Sequence, residues 1–468
     1  MKLEAVRKAG ADPYQTLFKR DGSIQDLLTV FSDGKGARVA GRLMAIRAHG
    51  KRTFADLRDQ TGKIQLVFTQ DDLGEGYTRL EGLDLGDIVG ASGSCMTTKS
   101  GEKSIAVSEW SLLAKALRPL PEKWHGLHNV EIRYRQRYLD LLANPEVRKT
   151  FEQRSRVVSC LRRFLDGKGF LEVETPMMQP IAGGAAGRPF KTHHNALDMD
   201  LYLRIAPELY LKRLLVGGFE KVYEINRNFR NEGLSTRHNP EFTMLEAYEA
   251  YGSCATMMEL TEEMVTALAQ ELHGNLKIEF GGKTIDLTRP WKRVSFAQMV
   301  QKRFGIEPAD SMETMAKKLK KDVGAIPKNQ LGRIVIESLD EMFEHEGEAP
   351  VFVTEFFKIF SPLAKSLPGR PEVADRFELF IAGIETANAY SEQNDPLEQR
   401  ERLQASQALG GEQAQPVDEE FLEALEYGMP PAGGLGIGID RLTMLLTGQP
   451  SIRDVILFPT LRPDVEKA

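Results

Sequence analysis

A polar segment between two β-type runs gathers residue types that could hold an anion. Residues 221–251 read KVYEINRNFRNEGLSTRHNPEFTMLEAYEAY, and the loop at 231–239 predicts a β-hairpin. Strand alternation would put Arg230 and Glu232 on one face of the first strand. A guanidinium there could grip a phosphate or a carboxylate through two hydrogen bonds. Composition alone favours the alternative, cross-strand salt bridges on a solvated sheet. The aligned residues on the second strand would be Phe242, Met244, Glu246 and Tyr248.

A second segment near the C-terminus joins a glycine-rich strand to a helix. Residues 433–448 read GGLGIGIDRLTMLLTG, with Arg441 at the predicted helix start. Glycines in such a strand would let a nucleotide lie against bare backbone. A dinucleotide-binding loop is the obvious rival, but too little chain follows Asp440 to complete a Rossmann unit with its acidic ribose ligand.

Three strings together resemble the motifs of class II aminoacyl-tRNA synthetases of the lysine, aspartate and asparagine subgroup. GFLEVETPMMQP (169–180) resembles motif 1, FRNEG followed by RHNPEFT (229–243) resembles motif 2, and GIGIDR (436–441) with the downstream IRDVILFP resembles motif 3. The resemblance implies a homodimer with Pro176 at its interface. It also implies an ATP site, with Arg230 on the α-phosphate and the amino acid carboxylate and Arg441 on the γ-phosphate. By the same match, Glu232 and His238 contact the adenine end and the outer phosphates, and Phe242 stacks under adenine.

An ammonium side chain would need a buried carboxylate partner, because burying it unpaired costs several kcal/mol. In ETANAYSEQNDP (385–396), strand alternation puts Asn388, Tyr390 and Glu392 on one face, and the β-type run APELYLKRL (206–214) offers Glu208. Either glutamate alone could be a surface charge. Both strings resemble bacterial-type lysyl-tRNA synthetases more than their aspartyl or asparaginyl relatives. That match implies that Glu392 neutralises the lysine ε-ammonium with Tyr248 and Tyr390, and that Glu208 receives the α-amino group. Gly184 and Glu246 complete the implied lysine pocket.

The charge that develops on ATP during such a reaction is usually offset by magnesium. Glu378 and Glu385 match the family's metal-binding acids. Their odd separation would put them on opposite faces of one regular strand, so the match requires a bulge or bend, for which Gly383 is the candidate.

Five short β-type runs between Gly36 and Ser111 predict a small antiparallel barrel. Its first half is locally basic, and it resembles the OB-fold anticodon domain of the same subgroup. The resemblance assigns Phe54 and Gln65 to the central anticodon base, with Arg47 beside them. The alternative is a solvated basic face with Phe54 in the barrel core.

The whole chain is 468 residues long with a formal net charge of -6, so any nucleic-acid partner must meet local basic surface. We predict an α+β protein with an OB-fold barrel and N-terminal segment (1–118), a linker (119–145) and a class II catalytic domain (146–468) whose antiparallel sheet is flanked by helices. The three cysteines lack CxxC spacing and the start lacks an apolar secretion signal, which favours a cytoplasmic protein without a membrane partner.

The resemblance implies an enzyme that uses ATP to activate L-lysine to lysyl-adenylate and transfers it to the terminal adenosine of tRNA-Lys. Departures from the family pattern at Phe357, Lys358, Thr386 and Gln393 bear on fine specificity. The alternatives are an aspartyl- or asparaginyl-type synthetase and a non-catalytic tRNA-binding paralogue. The paralogue predicts loss of the phosphate-binding arginines, whereas Arg230 and Arg441 are present. A lysine ligase that modifies an elongation factor would lack the barrel.

Overall fold

The computed structural model describes residues 2–8, 10, 12–120, 127–321, 323–324, 326, 328–340, 348–409 and 416–463. The chain divides into two compact units, Met1–His128 and Asn129–Ala468. Of the predicted linker, residues 121–126 lie outside the described residues. Further along that linker, helices form at Val130–Arg135 and Arg137–Ala143 and belong to the second unit. No described helix combines the length and the apolar composition that a membrane crossing requires.

The first unit is built on a closed barrel. Its described strands are β1 (Gly36–His49), β2 (Arg52–Arg58), β3 (Lys63–Thr69), β4 (Ile88–Thr97) and β5 (Lys103–Ala114), and its helices are α1 (Lys2–Lys8), α2 (Ile24–Thr29), α3 (Gln70–Leu73) and α4 (Glu75–Thr78), followed by a 3-10 turn at Arg79–Gly82. These five described strands close in the order β1-β2-β3-β5-β4, which confirms the predicted OB-fold barrel. The β3–β5 pair is parallel, so the expectation of a wholly antiparallel barrel is wrong at this pair.

The barrel core follows the alternation of the strands. β2 buries Thr53, Ala55 and Leu57, whereas Phe54 and Asp56 lie on its other face. The alternative that put Phe54 in the barrel core is therefore wrong.

The second unit is a large sheet with helices packed on it. Its described helices are α5 (Val130–Arg135), α6 (Arg137–Ala143), α7 (Pro145–Gly167), α8 (Glu208–Val216), α9 (Cys254–His273), α10 (Phe296–Phe304), α11 (Met312–Lys318), α12 (Lys328–Asp340), α13 (Pro396–Leu409), α14 (Glu419–Glu426), α15 (Ile439–Thr447) and α16 (Ile452–Val455), with a 3-10 turn at Lys358–Phe360. Its described strands are β6 (Leu171–Glu172), β7 (Met178–Gln179), β8 (Phe190–His194), β9 (Met199–Leu203), β10 (Lys221–Phe229), β11 (Glu241–Ala250), β12 (Lys277–Phe280), β13 (Lys283–Asp286), β14 (Lys292–Ser295), β15 (Val351–Thr354), β16 (Ser366–Leu367), β17 (Arg370–Ala374), β18 (Arg376–Ile381), β19 (Ile384–Ser391) and β20 (Ala432–Gly438).

Eight of the described strands form one sheet in the order β14-β15-β18-β19-β20-β11-β10-β6. The central pairs are antiparallel, and only the outermost described pairs, β14–β15 and β10–β6, are parallel. The predicted class II architecture, a mainly antiparallel sheet with helices, is confirmed. The predicted helix at Pro145–Gly167 is α7, which buries Val157, Leu161 and Leu165 at helical spacing in the same core cluster as residues of α9.

One secondary-structure prediction is wrong where it matters for the site. The run APELYLKRL is not a strand after its proline but the helix α8, which begins at Glu208. Its buried positions are 208, 209, 211, 212 and 215, and the steps of three to four residues from 208 through 211 or 212 to 215 are those of one helix face. A short apolar run cannot be assigned to helix or strand by periodicity alone.

Candidate active site

The helices and strands around β11 enclose a cavity of about 450 Å³ in the second unit. Its wall comes from the β10–β11 hairpin, the β18–β19 hairpin, the glycine-rich strand β20 and the start of α15. The lining residues that the sequence had singled out are Gly184, Glu208, Arg230, Glu232, His238, Phe242, Glu246, Tyr248, Glu378, Glu385, Asn388, Tyr390 and Arg441.

The β10–β11 hairpin supplies one wall. β11 directs Phe242, Met244, Glu246 and Tyr248 to the cavity, as its alternation predicted. The prediction for the first strand is wrong, because β10 ends at Phe229 and both Arg230 and Glu232 lie in the following loop. They reach the cavity by loop conformation and not by strand alternation.

Arg230 is positioned to bind an anion. Its guanidinium carbon lies 5.2 Å from the centre of the Phe242 ring. Burial lowers the pKa of Arg230. Its Nε is buried and has no hydrogen-bond partner among the described residues. Since a buried guanidinium is costly unless it is paired, this arrangement favours an anionic ligand at this position.

Arg441 lies in the first turn of α15, where β20 ends. Its Nη1 donates to Glu385 Oε2 at 2.9 Å, and its Nη2 contacts His238 Nε2 at 3.0 Å. Burial acts to raise the pKa of Glu385, but Arg441 and other nearby arginines outweigh it and lower the pKa. Asp440 fixes the helix start, because its Oδ2 accepts the amide N–H of Thr243 at 2.7 Å. The arginine therefore projects from a helix start that is hydrogen-bonded to β11.

Glu378 and Glu385 lie on two neighbouring strands, β18 and β19, and not on one strand. The turn between them is formed by Ala382 and Gly383, which have φ angles of 52° and 67°. The register also slips between Leu379 and Phe380. Both carboxylates thus line the same cavity, and Glu378 pairs with Arg376 at 2.5 Å. No group of three or more potential metal-ligating side chains occurs among the described residues.

Glu392 lies just beyond the end of β19 and is 1% exposed. The alternative interpretation of Glu392 as a surface charge is therefore wrong. Its Oε2 forms an ion pair with Lys212 Nζ, and neither of its oxygens has a hydrogen bond among the described residues. Burial raises the pKa of Glu392, and the Lys212 ammonium opposes that shift.

Lys212 was missed by the sequence analysis. It lies one turn after Glu208 on α8 and donates to Glu208 Oε1 at 2.6 Å. Its i,i+4 spacing from Glu208 was the available signal, but the strand assignment concealed it. Burial acts to lower the pKa of Lys212, but Glu208 and Glu392 outweigh it and raise the pKa.

Tyrosine hydroxyls donate hydrogen bonds to glutamates of the acidic pocket, defined as Glu208, Glu246, Glu392 and the side chains around them. Tyr390 donates to Glu208 Oε2 at 2.6 Å, and Tyr248 donates to Glu246 Oε2 at 3.1 Å. Burial, aided by the charge of Glu208, raises the pKa of Glu246 to about 8. Gly184 has a φ of 87°, and a Cβ at this position would come within 3.1 Å of the Glu208 Cβ. A glycine is required at this wall because of both its φ angle and the close packing.

The four departures from the family pattern have different settings. Phe357 is buried and packs edge-on against Phe296 with 5.0 Å between ring centres, in a separate core cluster. Thr386 is buried at the cavity wall, and its hydroxyl donates to the Ile384 carbonyl. Gln393 is buried, and its side-chain oxygen accepts the amide N–H of Asp395. Lys358 begins the 3-10 turn at Lys358–Phe360.

On the barrel of the first unit, the three residues assigned to the anticodon lie on neighbouring strands. Arg47 pairs with Phe54 in the β1–β2 register, and Gln65 lies opposite Asp56 in the β2–β3 register. Arg47 is exposed and forms an ion pair with Asp56 at 2.8 Å. Phe54 and Gln65 are half-buried. A partly exposed ring beside cationic and amide groups suits a stacked base.

Comparisons with known proteins match both units. Residues 129–462 match the family described as tRNA synthetases class II (D, K and N), and residues 37–113 match the OB-fold nucleic acid binding domain. The lysine–tRNA ligase of Carboxydothermus hydrogenoformans is 54% identical over 471 residues, covering 99% of this chain and 96% of that protein. The lysine–tRNA ligase of Syntrophomonas wolfei is 53% identical, covering 100% and 97%. That of Aeromonas hydrophila is 50% identical, covering 99% and 95%.

Proposed function

Because this chain belongs to the class II tRNA synthetases of the D, K and N group, we propose that it is a lysine–tRNA ligase. It activates L-lysine with ATP and transfers the lysyl group to tRNA-Lys. The single observation that carries the choice of lysine is the buried carboxylate of Glu392, which lies against Gly434 in the wall of the cavity that Arg230 and Arg441 line. An aspartate substrate would instead need an available cation, whereas Lys212 is already paired with Glu208 and Glu392, and an asparagine substrate would need a neutral polar partner.

In the proposed ATP site, Arg230 binds the α-phosphate and Arg441 the γ-phosphate. Phe242 supports the adenine ring, while Glu232 and His238 contact the adenine end and the outer phosphates. The unpartnered Nε of Arg230 supports this assignment, because an anion would satisfy it. Retention of both arginines argues against a non-catalytic tRNA-binding paralogue.

In the proposed lysine site, Glu392 receives the ε-ammonium and Glu208 the α-ammonium. Both carboxylates are buried, so each charge–charge contact is stronger than in water. Tyr390 orients Glu208 through its hydroxyl, and Tyr248 donates to the neighbouring Glu246. The pocket is completed by Gly184, Glu246 and Asn388.

The chemistry that follows needs no protein nucleophile. A lysine carboxylate oxygen attacks the α-phosphorus of ATP, a P–O bond forms, and the bond to pyrophosphate breaks. A hydroxyl of the terminal adenosine of the tRNA then attacks the lysyl carbonyl, and AMP leaves. Arg230 aligns the carboxylate with the phosphorus and stabilises the charge that develops there, so positioning and electrostatics supply the rate enhancement.

Magnesium fits the acids at the β18–β19 hairpin. Glu378 and Glu385 offer hard oxygen donors at the cavity wall, and magnesium commonly binds through one or two carboxylates together with substrate phosphates. The bound ion would offset phosphate charge during activation. We propose these two residues as its protein ligands.

The first unit is proposed to bind the anticodon through Arg47, Phe54 and Gln65. A homodimer is proposed from the motif 1 resemblance around Pro176, and large apolar side chains nearby support it, since Leu171 is 49% and Met178 is 55% exposed. A cytoplasmic location follows from the tRNA substrate.

The decisive test is ATP–pyrophosphate exchange with each standard amino acid, followed by charging of tRNA-Lys. We expect exchange with lysine alone, dependent on magnesium. Exchange with aspartate or asparagine but not with lysine would overturn the assignment. Absence of exchange with every amino acid would favour the non-catalytic paralogue.

A further inference from the structure

Lys212 lies between Glu208 and Glu392, the two carboxylates that are proposed to bind the ammonium groups of the substrate. Its side chain is fully buried, and its Nζ contacts Glu208 Oε1 and Glu392 Oε2. The same ammonium lies 5.6 Å from the centre of the Tyr390 ring and 5.9 Å from that of Phe421. An internal ammonium thus already occupies one oxygen of each carboxylate that is proposed to receive a substrate ammonium.

The other oxygens of these carboxylates have different partners. Glu208 Oε2 accepts the Tyr390 hydroxyl at 2.6 Å. Glu392 Oε1 is buried and has no hydrogen-bond partner among the described residues. It lies against Gly434, which lines the cavity, and a methyl group on Gly434 would overlap it. Glu392 therefore has one oxygen fixed by Lys212 and one left open beside the cavity.

We propose that Lys212 is a positioning residue for lysine recognition, which ties down Glu392 Oε2 so that Oε1 is held toward the ε-ammonium of the substrate. This inference rests on the proposed function, since it concerns the same pocket. Lys212 is not among the residues that line the cavity, so we propose that it acts through Glu392 and Glu208.

Charge balance gives a second role to the same residue. Ionised Glu208 and Glu392 together with Lys212 carry one net negative charge, so the cluster still attracts a cationic substrate. Without Lys212, two buried carboxylates would face each other with Glu246 close by. Like charges in a buried site favour uptake of a proton by one of them, and a protonated Glu392 would bind an ammonium poorly. Among the described residues, Tyr248 on β11 and Tyr390 on β19 also face this cluster.

The test compares Lys212→Met with Lys212→Gln, Lys212→Arg and a matched control in the other unit. The control is Lys115→Met, because Lys115 is also a buried lysine that contacts two carboxylates, Asp84 and Asp87. Lysine-dependent ATP–pyrophosphate exchange is measured for each purified protein from pH 6 to pH 8.5, and thermal unfolding reports whether each is folded.

We expect both neutral Lys212 variants to raise the KM for lysine by about 100-fold or more, in line with the cost of removing one partner of a buried ion pair, while the KM for ATP stays unchanged. Their KM for lysine should fall more steeply with rising pH than that of the unaltered protein, as the extra proton is lost. Lys212→Arg should recover part of the affinity because it keeps the charge. Lys115→Met should leave the KM for lysine unchanged.

The proposal is overturned if a folded neutral variant keeps the lysine KM and pH profile of the unaltered protein. It is also overturned if the KM values for lysine and ATP rise together. If neither neutral variant folds while Lys115→Met does, Lys212 has a purely structural role and the proposal fails. By contrast, an unaltered protein that does not use lysine would overturn the proposed function itself.

Discussion

Lys115 in the first unit and Lys212 in the second make nearly the same set of contacts. Each is a buried lysine whose ammonium contacts two carboxylates. Around Lys115 the network is closed, because Asp87 Oδ2 also accepts the amide N–H of Asp84 and Asp87 Oδ1 accepts that of Ala116. Around Lys212 the network is open, because Glu392 Oε1 is left without a hydrogen bond among the described residues.

The difference indicates that the Lys115 network stabilises the fold, whereas the Lys212 network forms part of a binding site. A fully satisfied buried network fixes the local structure, and it offers nothing to a ligand. A buried oxygen left without a partner costs free energy in the unbound protein. That cost is recovered when an ammonium binds, so the open position beside a cavity indicates recognition.

The largest expected effect comes from neutralising one carboxylate in each network. Glu392→Gln and Asp87→Asn each break a buried ion pair, at a cost of about 3–5 kcal/mol. For Glu392→Gln this cost should appear as a loss of roughly 1000-fold in kcat/KM for lysine in pyrophosphate exchange. For Asp87→Asn it should appear as a lower free energy of unfolding of the first unit, with exchange unchanged. A loss of lysine-dependent exchange in Asp87→Asn would contradict the purely structural role assigned to the Lys115 network.

The next largest effect is expected from filling the space beside Glu392 Oε1. A methyl group at Gly434 would overlap Glu392 Oε1 and lie 2.6 Å from Tyr248 Cε1, whereas one at Gly93 would overlap the carbonyl oxygen of Ala106 in the barrel. Such overpacking costs about 1–3 kcal/mol. Gly434→Ala should therefore raise the KM for lysine roughly tenfold or more, and Gly93→Ala should lower the melting temperature of the first unit without changing that KM. Equal lysine KM values in the two variants would contradict this assignment.

A third prediction concerns the separate roles of the two units, tRNA binding by the first and lysine activation by the second. Phe54→Ala removes the ring proposed to stack on an anticodon base, a contact worth about 1–3 kcal/mol. The kcat/KM for tRNA-Lys in aminoacylation should fall about tenfold. Pyrophosphate exchange in the absence of tRNA should not change. A parallel fall in exchange would show that Phe54 supports the fold and not tRNA recognition.

The smallest effect is a proton released on binding. Burial raises the pKa of Glu246 to about 8, so this carboxyl is largely protonated in the unbound protein at pH 7. A bound ammonium favours the ionised carboxylate and lowers that pKa, so lysine binding at pH 7 should release up to one proton. Titration calorimetry in buffers of different ionisation enthalpy measures this number. Glu246→Gln should abolish the release, and a binding enthalpy independent of buffer in the unaltered protein would refute the prediction.

The sequence by itself determined the five-stranded barrel, the sheet with its helices, and the family of the chain. These follow from patterns within short segments: the alternation of β2, the helical spacing of α7 and the order of three motifs. It also determined which residues of β11 face the cavity, since neighbouring side chains on a strand must alternate.

Only the tertiary structure decided how the acidic pocket is assembled. Glu208 and Lys212 share a face because the run APELYLKRL forms a helix, and burial of that face against other elements selects helix over strand. Glu392 meets Lys212 although they are 180 positions apart in the chain, and Tyr390 meets Glu208 across 182 positions. Local periodicity fixes the faces of one element only, and contacts between distant elements depend on how the whole core packs.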